Sequence, residues 1–203
     1  MNEQEKFWSG KFGNDYISRN NSKKLQINNN YFFKKIFQKK YRINSIIELG
    51  SNIGNNLLSL EKLFKKSSFT AVELNFKACN ILRKKRPNFD IVNNTILNFK
   101  TKKKFNLVLC KGVLIHVNPN QLKKVYEKIY NLSNKYILLA EYFSPSPERI
   151  KYRNHKNKLF KRDFALEIMQ KYKKLKLIDY GFVYHQDKFP VDNINWFLLK
   201  KTK

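Results

Sequence analysis

The chain has 203 residues, 42% of them hydrophobic and 15% aromatic, with 42 Lys and Arg against 15 Asp and Glu for a formal charge of +27. That apolar content excludes a disordered chain and gives one domain enough material for a core. No apolar run reaches the roughly 18 residues of a membrane span. The start MNEQEKFWSG lacks the basic and apolar regions of a secretory signal, so a cytoplasmic protein is expected.

Cys79 and Cys110 lie far apart and make no metal-ligand pattern, so neither a disulfide nor a metal site is expected. The charge alone would admit a nucleic-acid partner. Against that, Lys, Asn, Ile, Phe and Tyr abound while Gly, Pro and Ala are scarce, the signature of A/T-rich codons, and the lysines are spread along every segment. A nucleic-acid partner is therefore disfavoured, whereas a basic surface welcomes a small anionic one.

Residues 1–22 are rich in Gly, Asn and aromatics. From Ser22 to about Lys40 apolar residues including Leu25, Tyr31, Phe32 and Ile36 fall at helical spacings. Strand candidates follow at 45–49, 69–74, 89–93, 105–110 and 136–142, with helix candidates at 53–65, 75–85 and 119–131. In the last helix Leu122, Val125, Tyr126 and Ile129 make one apolar stripe. Strands alternating with helices predict a parallel sheet covered on both faces, with ligands beyond the carboxyl ends of the strands. A polar stretch at 144–162 then leads to a helix at 163–172. Two strand-like runs, 175–185 and 194–200, are joined by about eight residues containing Pro190, too few for a helical crossover, so they should pair antiparallel at an edge. The expected fold is α/β: a Rossmann-like, doubly wound, mostly parallel seven-stranded sheet with an antiparallel C-terminal hairpin, the outline of class I methyltransferases. Residues 1–203 read as one domain, with 1–40 as an N-terminal lid or helical extension.

The stretch SIIELGSNIGNN (45–56) puts a glycine turn between a strand and a helix. A dinucleotide loop needs a middle glycine so that the backbone can approach a pyrophosphate, and Asn52 stands there. No Gly-Lys-Ser/Thr follows, which excludes a Walker loop. S-Adenosylmethionine has no phosphate, so its loop tolerates Asn52 while Gly50 makes the turn and Gly54 permits close packing. Glu73 ends the next strand, where an acid can accept hydrogen bonds from both ribose hydroxyls. Glu48 precedes the turn and can face the ligand's ammonium group. Asn94 or Thr95, after the third strand, can meet the adenine; Leu74 beside Glu73, and Lys111 and Gly112 past the fourth strand, complete the expected cofactor contacts.

FWSGKFGNDYISRN (7–20), CKGVLIHVNP (110–119), LLAEYFSPSP (138–147), HKNKLFKRDFA (155–165), LKLIDYGFVYHQD (175–187) and WFLLK (196–200) occur in this order. Together they resemble the pseudaminic acid biosynthesis-associated methylases, a bacterial group within the class I superfamily. The resemblance spans nearly the whole chain and implies an S-adenosylmethionine-dependent methyltransferase acting on a small molecule of surface-sugar or nonulosonic acid pathways. It carries the cofactor positions onto Glu48, Gly50, Gly54 and Glu73.

Methyl transfer is an in-line attack that an enzyme promotes by positioning and by excluding water, with a general base helping an alcohol acceptor. His116, just past the fourth strand, is the first candidate base, followed by Tyr152 and His155. The segment 148–163 is the expected acceptor site, with Arg153 and Arg162 as an anion clamp and Asp163 as a further polar group; His185 could point into the same cleft. Trp8, Phe12, Tyr16 and Arg19 should fold over the cofactor, Arg19 pairing with its carboxylate. The alternatives are an RNA ribose methyltransferase and a non-catalytic S-adenosylmethionine-binding module. Base methylation is disfavoured because neither an Asn/Asp-Pro-Pro-aromatic motif nor a Pro-Cys pair is present after the fourth strand.

Overall fold

The computed structural model describes residues 1–20, 22–38 and 41–202. Two short helices, α1 (Glu3–Ser9) and α2 (Lys11–Arg19), come first. Helix α1 opens on a capping box: the Asn2 side chain accepts from Glu5 N, and Glu5 accepts from Asn2 N. Helix α3 (Lys23–Ile36) starts at the Ser22 hydroxyl, which accepts from Leu25 N, and buries Phe32, Phe33 and Ile36. The expected end of this helix, Lys40, lies outside the described residues, as do Asn21 and Lys203 within the expected segment and domain limits.

The alternating region follows as β1 (Ser45–Leu49), α4 (Asn55–Leu63), β2 (Ser68–Glu73), α5 (Phe76–Lys85), β3 (Asp90–Asn93), β4 (Phe105–Lys111), α6 (Leu122–Leu132) and β5 (Ser133–Glu141). A hairpin of β6 (Glu148–Tyr152) and β7 (His155–Lys161), helix α7 (Phe164–Lys171) and strands β8 (Leu175–Val183) and β9 (Ile194–Lys201) complete the chain. Seven strands form one sheet in the order β3-β2-β1-β4-β5-β9-β8, with β9 antiparallel to both neighbours and the others parallel. Near-continuous apolar strands such as SIIEL suit a sheet covered on both faces. On one face Ile47, Val108 and Ile137 meet the stripe of α6, where Leu122, Val125, Tyr126 and Ile129 are buried as expected. On the other, Ile46, Leu107 and Leu198 pack with Phe33 of α3, Leu57 of α4 and Leu82 of α5.

Two features differ from the expectation in detail. The C-terminal pair is antiparallel, but the last strand is the inner one: β9 brings Trp196, Leu198 and Leu199 into the core and leaves β8 as the exposed edge. The polar stretch 144–162 contains the β6–β7 hairpin. Its two-residue turn, Arg153–Asn154, has φ of +46° and +68°, the conformation of a type I′ turn. Lysines and asparagines on the outward positions hide the strand alternation in the sequence.

Candidate functional site

The order of strands reverses between β1 and β4, and a cavity of about 370 Å³ opens there beyond their carboxyl ends, within the range of small-molecule pockets. Its floor begins with the turn after β1. Gly50 has φ +76°, and a Cβ there would lie 2.6 Å from Val113 Cγ2, so glycine answers both the turn and the crowding. Asn52 has φ +48°, in the left-handed region that asparagine enters more readily than most residues. Its side-chain oxygen accepts from Ile53 N at 2.7 Å. Gly54 (φ +81°) starts α4 and packs away from the cavity, where a Cβ would meet Leu82 Cδ1 at 2.4 Å.

Glu73 ties the first two loops together. One carboxylate oxygen accepts from Asn52 N and the other from Asn75 N, each at 2.7 Å. Burial raises its pKa and these backbone donors oppose the rise. Each oxygen keeps a lone pair for a diol at the cavity wall. Glu48 lies behind the wall. It is fully buried, accepts from Asn56 Nδ2 at 2.6 Å, and is pushed up to about 8 by desolvation, with Lys111 pulling the other way.

Beyond β4 the wall continues through Lys111, Gly112 and the 3₁₀ turn Leu114–His116. The burial of Lys111 lowers its pKa, while Glu48 and Glu141 hold its charge. Glu141, at the end of β5, organises the turn: its oxygens accept from Val113 N and Leu114 N at 3.0 Å and from Ile115 N at 3.4 Å. Burial pushes this carboxyl up to about 7 against those donors. An acid ending a strand was visible in YILLAEY, but nothing local indicated that its target was a loop almost thirty residues upstream.

His116 Nδ1 lies 2.6 Å from the carbonyl oxygen of Lys158 on β7. A carbonyl only accepts, so Nδ1 carries the proton and Nε2 is left with its lone pair. The ring packs against both Trp8 (centroids 4.6 Å apart) and Tyr152 (5.0 Å), and burial drops its pKa to about 4. Tyr16 packs edge-on to Trp8 at 5.2 Å, and Tyr142 and Asp192 close the same end, the Tyr142 hydroxyl donating to Asp192.

The roof is α1 and α2. Glu3 pairs with Lys158; Gln4 donates to the Asn157 carbonyl oxygen (3.2 Å) and accepts from Asn118 Nδ2 (3.3 Å). Asn75 Nδ2 donates to the Trp8 carbonyl oxygen at 3.1 Å and to Asn14 Oδ1 at 3.0 Å. The polar atoms Trp8 Nε1, Ser51 Oγ and Asn56 Oδ1, on residues of the wall, are buried without a partner. Such orphans call for a polar occupant. Together with the Glu73 carboxylate and the apolar slot of Leu74, Ile96, Leu97 and Val125, they fit a ligand combining a ribose, an aromatic base and an amino-acid tail.

Of the residues singled out from sequence, Gly50, Asn52, Glu73, Leu74, Thr95, Lys111, Gly112, His116 and Tyr152 line this cavity, with Trp8 and Tyr16 of the arm. The others lie elsewhere. Asn94 turns its side chain onto Thr95 N (2.8 Å) and borders a separate depression. Arg19 is exposed, its guanidinium 5.1 Å from the centre of the Phe12 ring. His155 is exposed and packs edge-on to Phe7 and Phe12 outside the roof. Arg153 occupies the hairpin tip, Arg162 is paired with Glu167 at 2.6 Å, and Asp163 caps α7 by accepting from Leu166 N. His185 is exposed, with Nδ1 against Asn193 Oδ1 at 2.9 Å. The expected clamp of Arg153 and Arg162 is therefore absent from the cavity wall, because the hairpin directs the first outward and α7 engages the second. Asn2, Gln4, Ser51, Asn56, Gln121, Tyr142 and Asp192 line the cavity without having been singled out individually from the sequence.

Both cysteines are free and buried, and among the described residues no group of His, Cys, Asp or Glu could hold a metal ion. Among these residues no helix is long and apolar enough to cross a membrane.

Residues 46–135 match the family model described as methyltransferase domain. Nothing among curated proteins matches the chain. Among solved structures, magnesium protoporphyrin IX methyltransferase from Synechocystis PCC 6803, with bound S-adenosylmethionine, is similar at TM-score 0.71 and 9% identity, covering 100% of this chain and 99% of that one. The 1,6-didemethyltoxoflavin-N1-methyltransferase of Burkholderia thailandensis, with S-adenosylhomocysteine, has TM-score 0.69 and 12% identity over 94% and 84% of the two chains. The N-methyltransferase NodS of Bradyrhizobium japonicum WM9 has TM-score 0.68 and 11% identity over 90% and 99%. Domain match and fold together define the class: the chain has the class I methyltransferase fold, and residues 46–135 within it are similar to a methyltransferase domain.

Proposed function

We propose that this protein is an S-adenosylmethionine-dependent methyltransferase that methylates a small polar acceptor, a sugar, nonulosonic acid or nucleotide-sugar of a surface-glycan pathway. S-Adenosylmethionine supplies an electrophilic methyl group on a cationic sulfur. The chain's own residues bind, orient and exclude water. Glu73 takes the ribose diol with the lone pairs that Asn52 N and Asn75 N leave free; Leu74, Thr95 and Ile96 flank the base; Gly50, Gly112 and Lys111 border the amino-acid tail. His116 and Tyr152 stand at the acceptor end, and residues 1–40 act as a lid on a single domain spanning 1–203.

The observation that carries this reading is a roofed cavity in which the Glu73 carboxylate and the His116 ring line one space. A small acceptor fits beneath a roof pinned by Glu3, Gln4 and Asn75; a nucleotide within a polymer would require that roof to lift. The pathway assignment rests on the sequence resemblance described above. The basic exterior, including Arg153 at the hairpin tip beside Tyr152, is suited to the anionic remainder of such an acceptor. The test is mass spectrometry of nucleotide sugars and nonulosonic acids incubated with the protein and isotopically labelled methyl donor. Gain of one labelled methyl on any of them is the expected result; labelling of RNA alone would reverse the reading.

A further inference from the structure

The reacting end of the cavity differs in chemistry from the protein that surrounds it. The chain carries +27, yet among the described residues the cavity wall presents Glu5, Glu73 and Asp192 and, of cationic side chains, only Lys111. Lys111 faces three carboxylates, Glu48, Glu141 and Asp192. The rings of Trp8 and Tyr152 pack on His116, Tyr16 packs on Trp8, and Tyr142, whose hydroxyl donates to the Asp192 carboxylate, lines the same cavity. Aromatic faces beside an acid attract cations. Asp192 also adopts φ +117°, a backbone conformation that costs a non-glycine residue energy and is most often retained where the side chain serves a site.

Hydrogen-bond complementarity narrows the acceptor further. The Lys158 carbonyl fixes the proton of His116 on Nδ1, so Nε2 offers a lone pair. A group meeting Nε2 must donate, as an amine or a hydroxyl does; a carboxylate or phosphate would set lone pair against lone pair. We infer that the methylated atom is an amine nitrogen, held against Nε2 of His116 beside the Trp8 and Tyr152 rings and drawn in as an ammonium by Asp192. This deepens the proposed function and rests on it.

The ammonium gives a proton to solvent at the Asp192 side, and the neutral amine donates one N–H to Nε2, which aims the nitrogen lone pair at the methyl carbon. The nitrogen–carbon bond forms as the carbon–sulfur bond breaks, the electron pair stays on sulfur in S-adenosylhomocysteine, and the product leaves as a methylated ammonium. A hydroxyl would need its proton removed by an imidazole that burial keeps weakly basic.

The test uses the full chain loaded with S-adenosylhomocysteine and three probes of one shape: cyclohexylamine, cyclohexanol and cyclohexanecarboxylate. Binding is measured for each by calorimetry. The amine is expected to bind at least about tenfold more tightly than either isostere, and Asp192→Asn to cut that preference to about threefold or less. No preference for the amine, or a preference for the alcohol or carboxylate in the wild-type protein, overturns the inference whether or not the variant folds. Failure to bind S-adenosylhomocysteine at all would overturn the methyltransferase reading as well, whereas its binding with a carboxylate preference would sink only the amine.

Discussion

Glu73 shows how one side chain can both build a loop and serve the ligand. Its two oxygens already hold Asn52 N and Asn75 N, so truncation removes order from two loops together with the ribose contact. Glu73→Ala should weaken S-adenosylhomocysteine binding by about 1.5–3 kcal/mol, the scale of hydrogen bonds to a charged group, as measured by calorimetry; unchanged affinity would take Glu73 off the ribose. Glu48 makes a different prediction. Its folded-state pKa of about 8 lies above the ordinary carboxyl value, so the folded state binds the extra proton. The stability this lends is complete below the unfolded pKa and is lost as pH rises toward about 8. Thermal denaturation between pH 5 and 8.5 should show wild-type stability falling, with up to about 4 kcal/mol of the fall due to Glu48, and Glu48→Gln should make the slope shallower, leaving the part that Glu141 contributes. At this scale the sequence was legible where spacing carries meaning: Gly50, Gly54 and Glu73 follow from strand, turn and strand end. Asn52 reads in sequence as an obstacle to a pyrophosphate; the fold uses its tolerance of the left-handed region and its backbone N–H. Asp192 and Glu141 were not legible as site residues, since both act across strands far apart in the chain.

The element that most shapes the site is the arm of α1 and α2, which carries Trp8 and Tyr16 into the cavity wall. Gly13 is what lets the two helices fold back on each other: an added Cβ would lie 1.8 Å from the Trp8 carbonyl oxygen, a backbone atom that cannot yield without moving α1. Gly13→Ala should therefore displace the roof while leaving the sheet intact. The expected outcome is weaker cofactor binding and increased proteolysis within residues 1–20, with a thermal midpoint lowered by only a few degrees. A midpoint drop matching loss of the core, or an unaltered roof, would show that the arm is not the separable element described. The β6–β7 hairpin matters for the same reason. It supplies the Lys158 carbonyl that sets the His116 tautomer, and it was hidden in the sequence because its outward residues are polar and its turn is Arg153-Asn154 without a glycine.

Across the whole molecule the charge of +27 is spread over the exterior while the cavity wall is locally acidic. Like charges repel at this density, so raising NaCl from about 50 to 500 mM should raise the thermal midpoint by a few degrees. RNA should bind at low salt, fall away steeply as salt rises, and acquire no label from the methyl donor; labelled RNA would give the charge a catalytic meaning. The sheet, its helical layers and the crevice at its carboxyl edge were determined by the sequence alone, because apolar periodicity and short connections leave few ways to bury those strands. The tertiary structure decided which polar groups face that crevice. Asn2, His116, Tyr152 and Asp192 are far apart in the chain, and no local pattern of residues records that folding brings them to one cavity.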